Sequence, residues 1–157
     1  MGVILFFEVE SKTVCPYRFT KPARSLFEYI EEHQIGIGNF PDEFGKIEKH
    51  FNVNLLPITK IGSPEEEYIL EEFDMDEERF NQELEKSRAL WQPPQELLIC
   101  VQSLLKVLHD NPDVFSLLDI SSEYFTKGIF EENLIDLLKM LEWAIENGEK
   151  KVRLSVA

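Results

Sequence analysis

The apolar positions of this chain change period along its length, and each change marks an element. Val3, Ile4, Leu5, Phe6, Phe7 and Val9 form a short run of branched and aromatic side chains, which predicts a buried or half-buried strand over Gly2 to Glu10. Ser11 to Lys21 has no period and predicts irregular structure. Pro22 suits the first position of a helix, and Leu26, Phe27 and Ile30 recur at helical spacing up to His33. Gly36-Ile37-Gly38-Asn39 predicts the turn that ends it. Phe40, Phe44, Ile47 and Phe51 predict a second short helix from Pro41 to Phe51. Asn52 to Gly62 is apolar but broken by Pro57, which fits an edge strand or an extended connector.

Ser63-Pro64-Glu65-Glu66 has the form of a capping box opening an acidic helix. Asp74 is placed to cap a following segment that carries Phe80, Leu84 and Trp91. After Pro93-Pro94, Leu97, Leu98, Val101, Leu104, Leu105 and Leu108 predict a core helix over Gln95 to Asp110, stopped by Asn111-Pro112. Val114 to Ile120 is a connector with room for a short helix. The last helix is expected from Phe130 to Asn147, with Leu134, Leu137, Leu138, Leu141 and Ile145 inward and Gly148 at its C-cap. Val152, Leu154 and Val156 then alternate with Arg153 and Ser155, predicting a half-buried strand over Lys151 to Val156. Together these elements predict one α+β domain over residues 1–157, helix-rich, with a small sheet that includes the N- and C-terminal strands.

Composition adds limits. The hydrophobic content of 43%, with twelve Phe, supports a folded core, and the length suits a single domain. No apolar run approaches the roughly 18 residues a membrane span needs. The first residues lack the basic start of a signal peptide, and two cysteines far apart, Cys15 and Cys100, make no disulfide framework. The expectation is a soluble cytoplasmic protein.

Between Glu65 and Glu85 eleven acids face one base, Arg79, so this stretch carries −10 of the chain's −14. A field so concentrated repels nucleic acid and anionic membranes and draws basic proteins, at rates that fall with salt. Acids bordering an aromatic ring suit the capture of a basic protein, the ring supplying buried area and the carboxylates steering. The candidate partner-binding set is therefore Glu66, Glu67, Tyr68, Glu71, Asp74, Asp76, Glu77 and Glu78.

Patterns that would carry chemistry fall short. Asp74-x-Asp76-x-Glu78, with Glu85 twelfth, has the spacing of a calcium loop, but Arg79 stands where the sharp turn needs Gly. Gly36-x-Gly38 lacks the third glycine of a dinucleotide turn, Pro41 standing there, and no lysine follows in the manner of a phosphate loop. His33, His50 and His109 each fall near a predicted helix C-terminus, where the dipole favours them. Cys100 lies inside an apolar helix, and neither cysteine has a catalytic partner near it in sequence. No metal, cofactor or catalytic residue is expected, and the chain is expected not to be an enzyme.

An acidic α+β protein that opens with Met1-Gly2-Val3-Ile4-Leu5-Phe6-Phe7 as a strand is similar in layout and charge to the immunity proteins of bacterial polymorphic-toxin systems. The likeness extends to the last helix, from Phe130-Glu131-Glu132-Asn133-Leu134 to Trp143-Ala144-Ile145-Glu146-Asn147-Gly148, and to the final strand. It covers about a quarter of the chain. What it implies is a stoichiometric inhibitor that blocks or distorts a toxin's active site, its acids standing in for the phosphates of a nuclease substrate. Two other classes stay open: a regulatory or scaffold domain that self-associates through Phe115, Tyr124 and Phe125, and a small enzyme with an unrecognised site, for instance Cys15 with a histidine and an acid in a cleft. The oligomeric state is left open.

Overall fold

Two long apolar helices and a three-stranded sheet carry the core. The computed structural model of the chain describes residues 4–35, 42–63 and 76–157. In chain order the elements are β1 (Leu5–Val9), α1 (Arg24–Ile35), α2 (Glu43–Phe51), a 3-10 turn (Leu56–Thr59), β2 (Ile61–Gly62), α3 (Glu77–Arg88), α4 (Pro94–Asp110), two single-turn helices α5 (Val114–Leu117) and α6 (Glu123–Thr126), α7 (Ile129–Glu146) and β3 (Val152–Val156). The sheet order is β1-β3-β2, with β1 antiparallel and β2 parallel to β3. The protein is thus the helix-rich α+β fold that the apolar pattern predicts, its sheet containing both strands expected near the chain ends. The predicted turn at Gly36 to Asn39 and the capping box at Ser63 to Glu66 lie outside the described residues, apart from Ser63.

Helical spacing sets the packing of α4 against α7. Leu97, Val101, Leu104 and Leu108 on one and Leu134, Leu137, Met140 and Leu141 on the other are buried, and the two helices lie against each other. Gly148 ends α7 with φ +73, a conformation that costs glycine little. There the Glu149 N–H donates to the Ala144 carbonyl at 2.9 Å and the Gly148 N–H to Ile145 at 3.1 Å, a Schellman closure that turns the chain toward β3. At the other end of the domain an aromatic cluster joins α1, α2, α6 and α7. Phe130 has its ring centroid 4.9 Å from Phe125, 5.8 Å from Tyr124 and 6.0 Å from Phe44, while Tyr29 lies 4.7 Å from Phe125.

Four local expectations are corrected. Helix α1 starts at Arg24, two residues past Pro22, and α2 starts at Glu43, because Asp42 caps it by accepting from the Gly45 N–H at 2.7 Å. The acidic segment's described helix is capped by Asp76, whose side chain accepts from the Arg79 N–H at 2.8 Å. The last strand is not half-buried: β3 is the middle strand, and Arg153 and Ser155 are 1% and 0% exposed. Alternation signals a wet face only when nothing covers that face, and here both faces of β3 are covered.

Candidate functional site

Glu66, Glu67, Tyr68, Glu71 and Asp74 lie outside the described residues. Asp76, Glu77 and Glu78 are exposed at the start of α3, where the positive end of the helix dipole favours them. Helix α3 buries none of its side chains, in contrast to α2, α4 and α7. The calcium-loop pattern does not survive in its described part, since Glu78 and Glu85 stand on a regular helix and the Asp76 carboxylate is occupied by its cap. Among the described residues no group of three or more His, Cys, Asp or Glu is placed to hold a metal ion.

The two cysteines stand in different surroundings, Cys15 partly exposed and Cys100 buried. Cys15 lines a cavity of about 590 Å³ beside β1, and no histidine lines it. Burial raises the Cys15 thiol above its ordinary value, partly offset by the backbone at Tyr17. Burial pushes the Cys100 thiol up to about 11, which makes it an inert core residue at neutral pH. His33 sits between two acids, Nδ1 at 2.9 Å from Asp42 and Nε2 at 2.7 Å from Glu48, so both ring nitrogens are engaged in tying α1 to α2. A histidine held in that way has no nitrogen left to activate a nucleophile. Its placement near the end of α1 agrees with the dipole argument, but two carboxylates hold it. The self-association surface also changes, because Tyr124 and Phe125 are buried in the aromatic cluster and only Phe115 remains partly accessible.

Cys100 gives a pH test. The folded chain keeps this thiol protonated, whereas the unfolded chain ionises it near 9.0, so its contribution is fully present below about pH 9 and is lost as pH rises toward about 11. Denaturant midpoints are expected to fall across that window. Cys100→Ala, weaker at neutral pH, is expected to show a shallower alkaline fall, the remainder coming from groups such as buried Tyr124, whose hydroxyl is also raised.

Sequence reasoning missed a polar assembly on the sheet face that carries Arg153. Arg153 Nε donates to Glu8 Oε1 at 2.7 Å, and its Nη2 lies 2.6 Å from the same oxygen. The Ser155 hydroxyl donates to that oxygen as well. The guanidinium lies 4.4 Å from the ring centroid of Trp91, in cation–π contact. Glu8 and Arg153 are direct cross-strand partners, so the signal was an acid and a base each embedded in apolar strand residues. Gly62 makes room for the pair: a Cβ there would lie 2.6 Å from Arg153 Cδ and 2.9 Å from Nε. The guanidinium is pinned by Glu8 and moves aside only at the expense of that pair. Gly62→Ala is therefore expected to cost about 1 to 3 kcal/mol, read from the urea midpoint.

The cavity beside β1 is built by the irregular stretch that follows the strand. Its walls are all of β1, residues from Lys12 to Arg24, and Met140 of α7, with no residue of β3. It thus lies along the edge of β1 that faces away from β3. Buried polar groups of α7 hold the outer wall. Asp136 Oδ2 accepts from the Thr20 N–H at 2.9 Å and from its hydroxyl at 2.8 Å. Asn133 donates to the Lys21 carbonyl at 3.1 Å while accepting from the Tyr124 hydroxyl at 2.8 Å. Neither side chain would be tolerated in an apolar interior without such partners. Ile4, Val14 and Tyr17, which line the cavity, are 65%, 81% and 48% exposed. Lys12, Arg18 and Arg24 supply its cations.

Among the described residues no helix is long and apolar enough to cross a membrane. No protein-family model, curated protein or solved structure matches this chain.

Proposed function

We propose that this protein is a non-catalytic binding module whose acidic segment captures a basic protein, in the manner of an immunity protein that blocks a toxin's active site. The observation that carries this is α3: twelve residues of helix with no fully buried side chain, whose cap and first turn present Asp76, Glu77 and Glu78 to solvent. Helices in folded proteins are stabilised mainly by packing an apolar face, and an exposed acidic one suits a face reserved for another molecule. The concentration of −10 of the net −14 between Glu65 and Glu85 supplies the steering. Two further facts favour binding over turnover: no histidine lines the cavity of Cys15, and both nitrogens of His33 are engaged by carboxylates.

The test is a pull-down with the tagged protein from lysate of its own organism, at low and high salt, with bound proteins identified by mass spectrometry. The parent is expected to retain a basic protein at low salt, and a variant with Glu66→Lys, Glu71→Lys and Glu77→Lys is expected to lose it. A catch that is identical for both, or no basic protein at low salt, would overturn the proposal.

A further inference from the structure

We propose that the trough along the free edge of β1 is a second docking site, built for an extended peptide segment of a partner that carries carboxylates among apolar side chains. This inference does not rest on the acidic segment.

The backbone of β1 supplies the first argument. Ile4 exchanges both hydrogen bonds with Ala157 at 3.1 Å, and the Glu10 N–H donates to the Lys151 carbonyl at 3.1 Å. In an antiparallel pair such residues alternate with ones whose N–H and C=O point the other way, so Leu5, Phe7 and Val9 direct theirs into the trough. The Val9 carbonyl is taken by the Lys12 N–H at 3.0 Å. The N–H and C=O groups of Leu5 and Phe7 on that edge have no backbone partner among the described residues, and an added strand would pair with them.

The lining supplies the second. Three of the large hydrophobic side chains that stand out to solvent, Ile4, Val14 and Tyr17, converge on this one trough. The wall opposite β1 is fixed by Thr20 on Asp136 and by Lys21 on Asn133, so the trough is held open without a ligand. Preorganisation of that kind lowers the ordering cost of binding.

Charge selects the occupant. In a chain of net −14, the trough holds three cations and one acid, and that acid, Glu8, is committed to Arg153 and Ser155. Arg24 pairs with Glu28 at 3.0 Å, while the Lys12 and Arg18 side chains have no ion-pair partner among the described residues. An anionic occupant fits that balance. A second copy pairing edge to edge through β1 would set a trough with the same three cations against this one and supply no uncommitted carboxylate from its lining. An acyl carboxylate would satisfy the cations and the apolar walls but leave the open ladder of Leu5 and Phe7 unused.

The probe is a fluorescein-labelled peptide of about eight residues with valine and glutamate alternating. It is compared with a version in which prolines replace the central residues, a version with lysine for glutamate, and sodium laurate. Anisotropy reads binding, and the rate of Cys15 alkylation by iodoacetamide reports occupancy of the trough, buried Cys100 serving as internal reference. The valine–glutamate peptide is expected to bind and to slow Cys15 alkylation. Arg18→Glu, an exposed change that leaves the circular dichroism unaltered, is expected to weaken binding about tenfold or more. Equal binding of the proline or lysine peptide would overturn the proposal. So would binding of laurate alone, no protection of Cys15, or a dimer in sedimentation velocity that excludes the peptide.

Discussion

Glu8→Ala is expected to destabilise the fold by about 3 to 5 kcal/mol, because it removes the carboxylate to which the buried Arg153 guanidinium donates. Both hydrogen bonds of Arg153 to Glu8 end on one oxygen, at 2.7 and 2.6 Å, and the Ser155 hydroxyl depends on that oxygen too. The asymmetry of the site sharpens the expectation. The Glu8 side chain is a quarter exposed while that of Arg153 is 2% exposed, so water can replace the base for Glu8 far better than it can replace the acid for Arg153. Arg153→Met is therefore expected to cost less than Glu8→Ala, and adding Arg153→Met to Glu8→Ala is expected to restore part of the loss. Urea midpoints of the two single variants and the double variant form the cycle that measures the coupling. A Glu8→Ala loss below about 1 kcal/mol would show that the remaining partners of Arg153 suffice.

Phe130→Ala is the second large effect, with an expected loss of about 3 to 5 kcal/mol. Phe130 is fully buried and its ring touches those of Phe44, Tyr124 and Phe125, so truncation opens one void shared by α2, α6 and α7. These elements cannot collapse together, because Asn133, in the next turn of α7, holds Tyr124 and the Lys21 carbonyl in place. Phe130→Leu, which fills most of the void, is expected to lose less than half as much. Equal losses for both would assign the effect to ring geometry in place of volume.

The fold was largely legible because its strongest signals are periodic. Leu97 to Leu108 and Leu134 to Leu141 repeat at helical spacing with few interruptions, and α4 and α7 lie where that spacing places them. What escaped depends on partners distant in sequence. Arg153 and Ser155 look like the polar face of a half-buried strand until Glu8, from the other end of the chain, is set opposite them. Gly62 looks like a connector residue until the Arg153 side chain crosses it. Asp136 and Asn133 sit in a helix whose apolar stripe was plain, yet their role as anchors for Thr20 and Lys21 has no local signature. The trough was hidden for the same reason: Ser11 to Lys21 has no period, and its meaning lies in where α7 pins it. Of the candidate binding residues, Asp76, Glu77 and Glu78 are exposed at the cap and first turn of α3.

Whether the acidic segment binds a basic protein is read most simply from the salt dependence of the affinity, with the captured partner purified. The dissociation constant is expected to rise at least about tenfold between about 50 and about 500 mM salt for the parent protein. The variant with Glu66→Lys, Glu71→Lys and Glu77→Lys is expected to bind much more weakly and with little salt dependence. Equal affinity of parent and variant at every salt concentration would contradict binding through that segment.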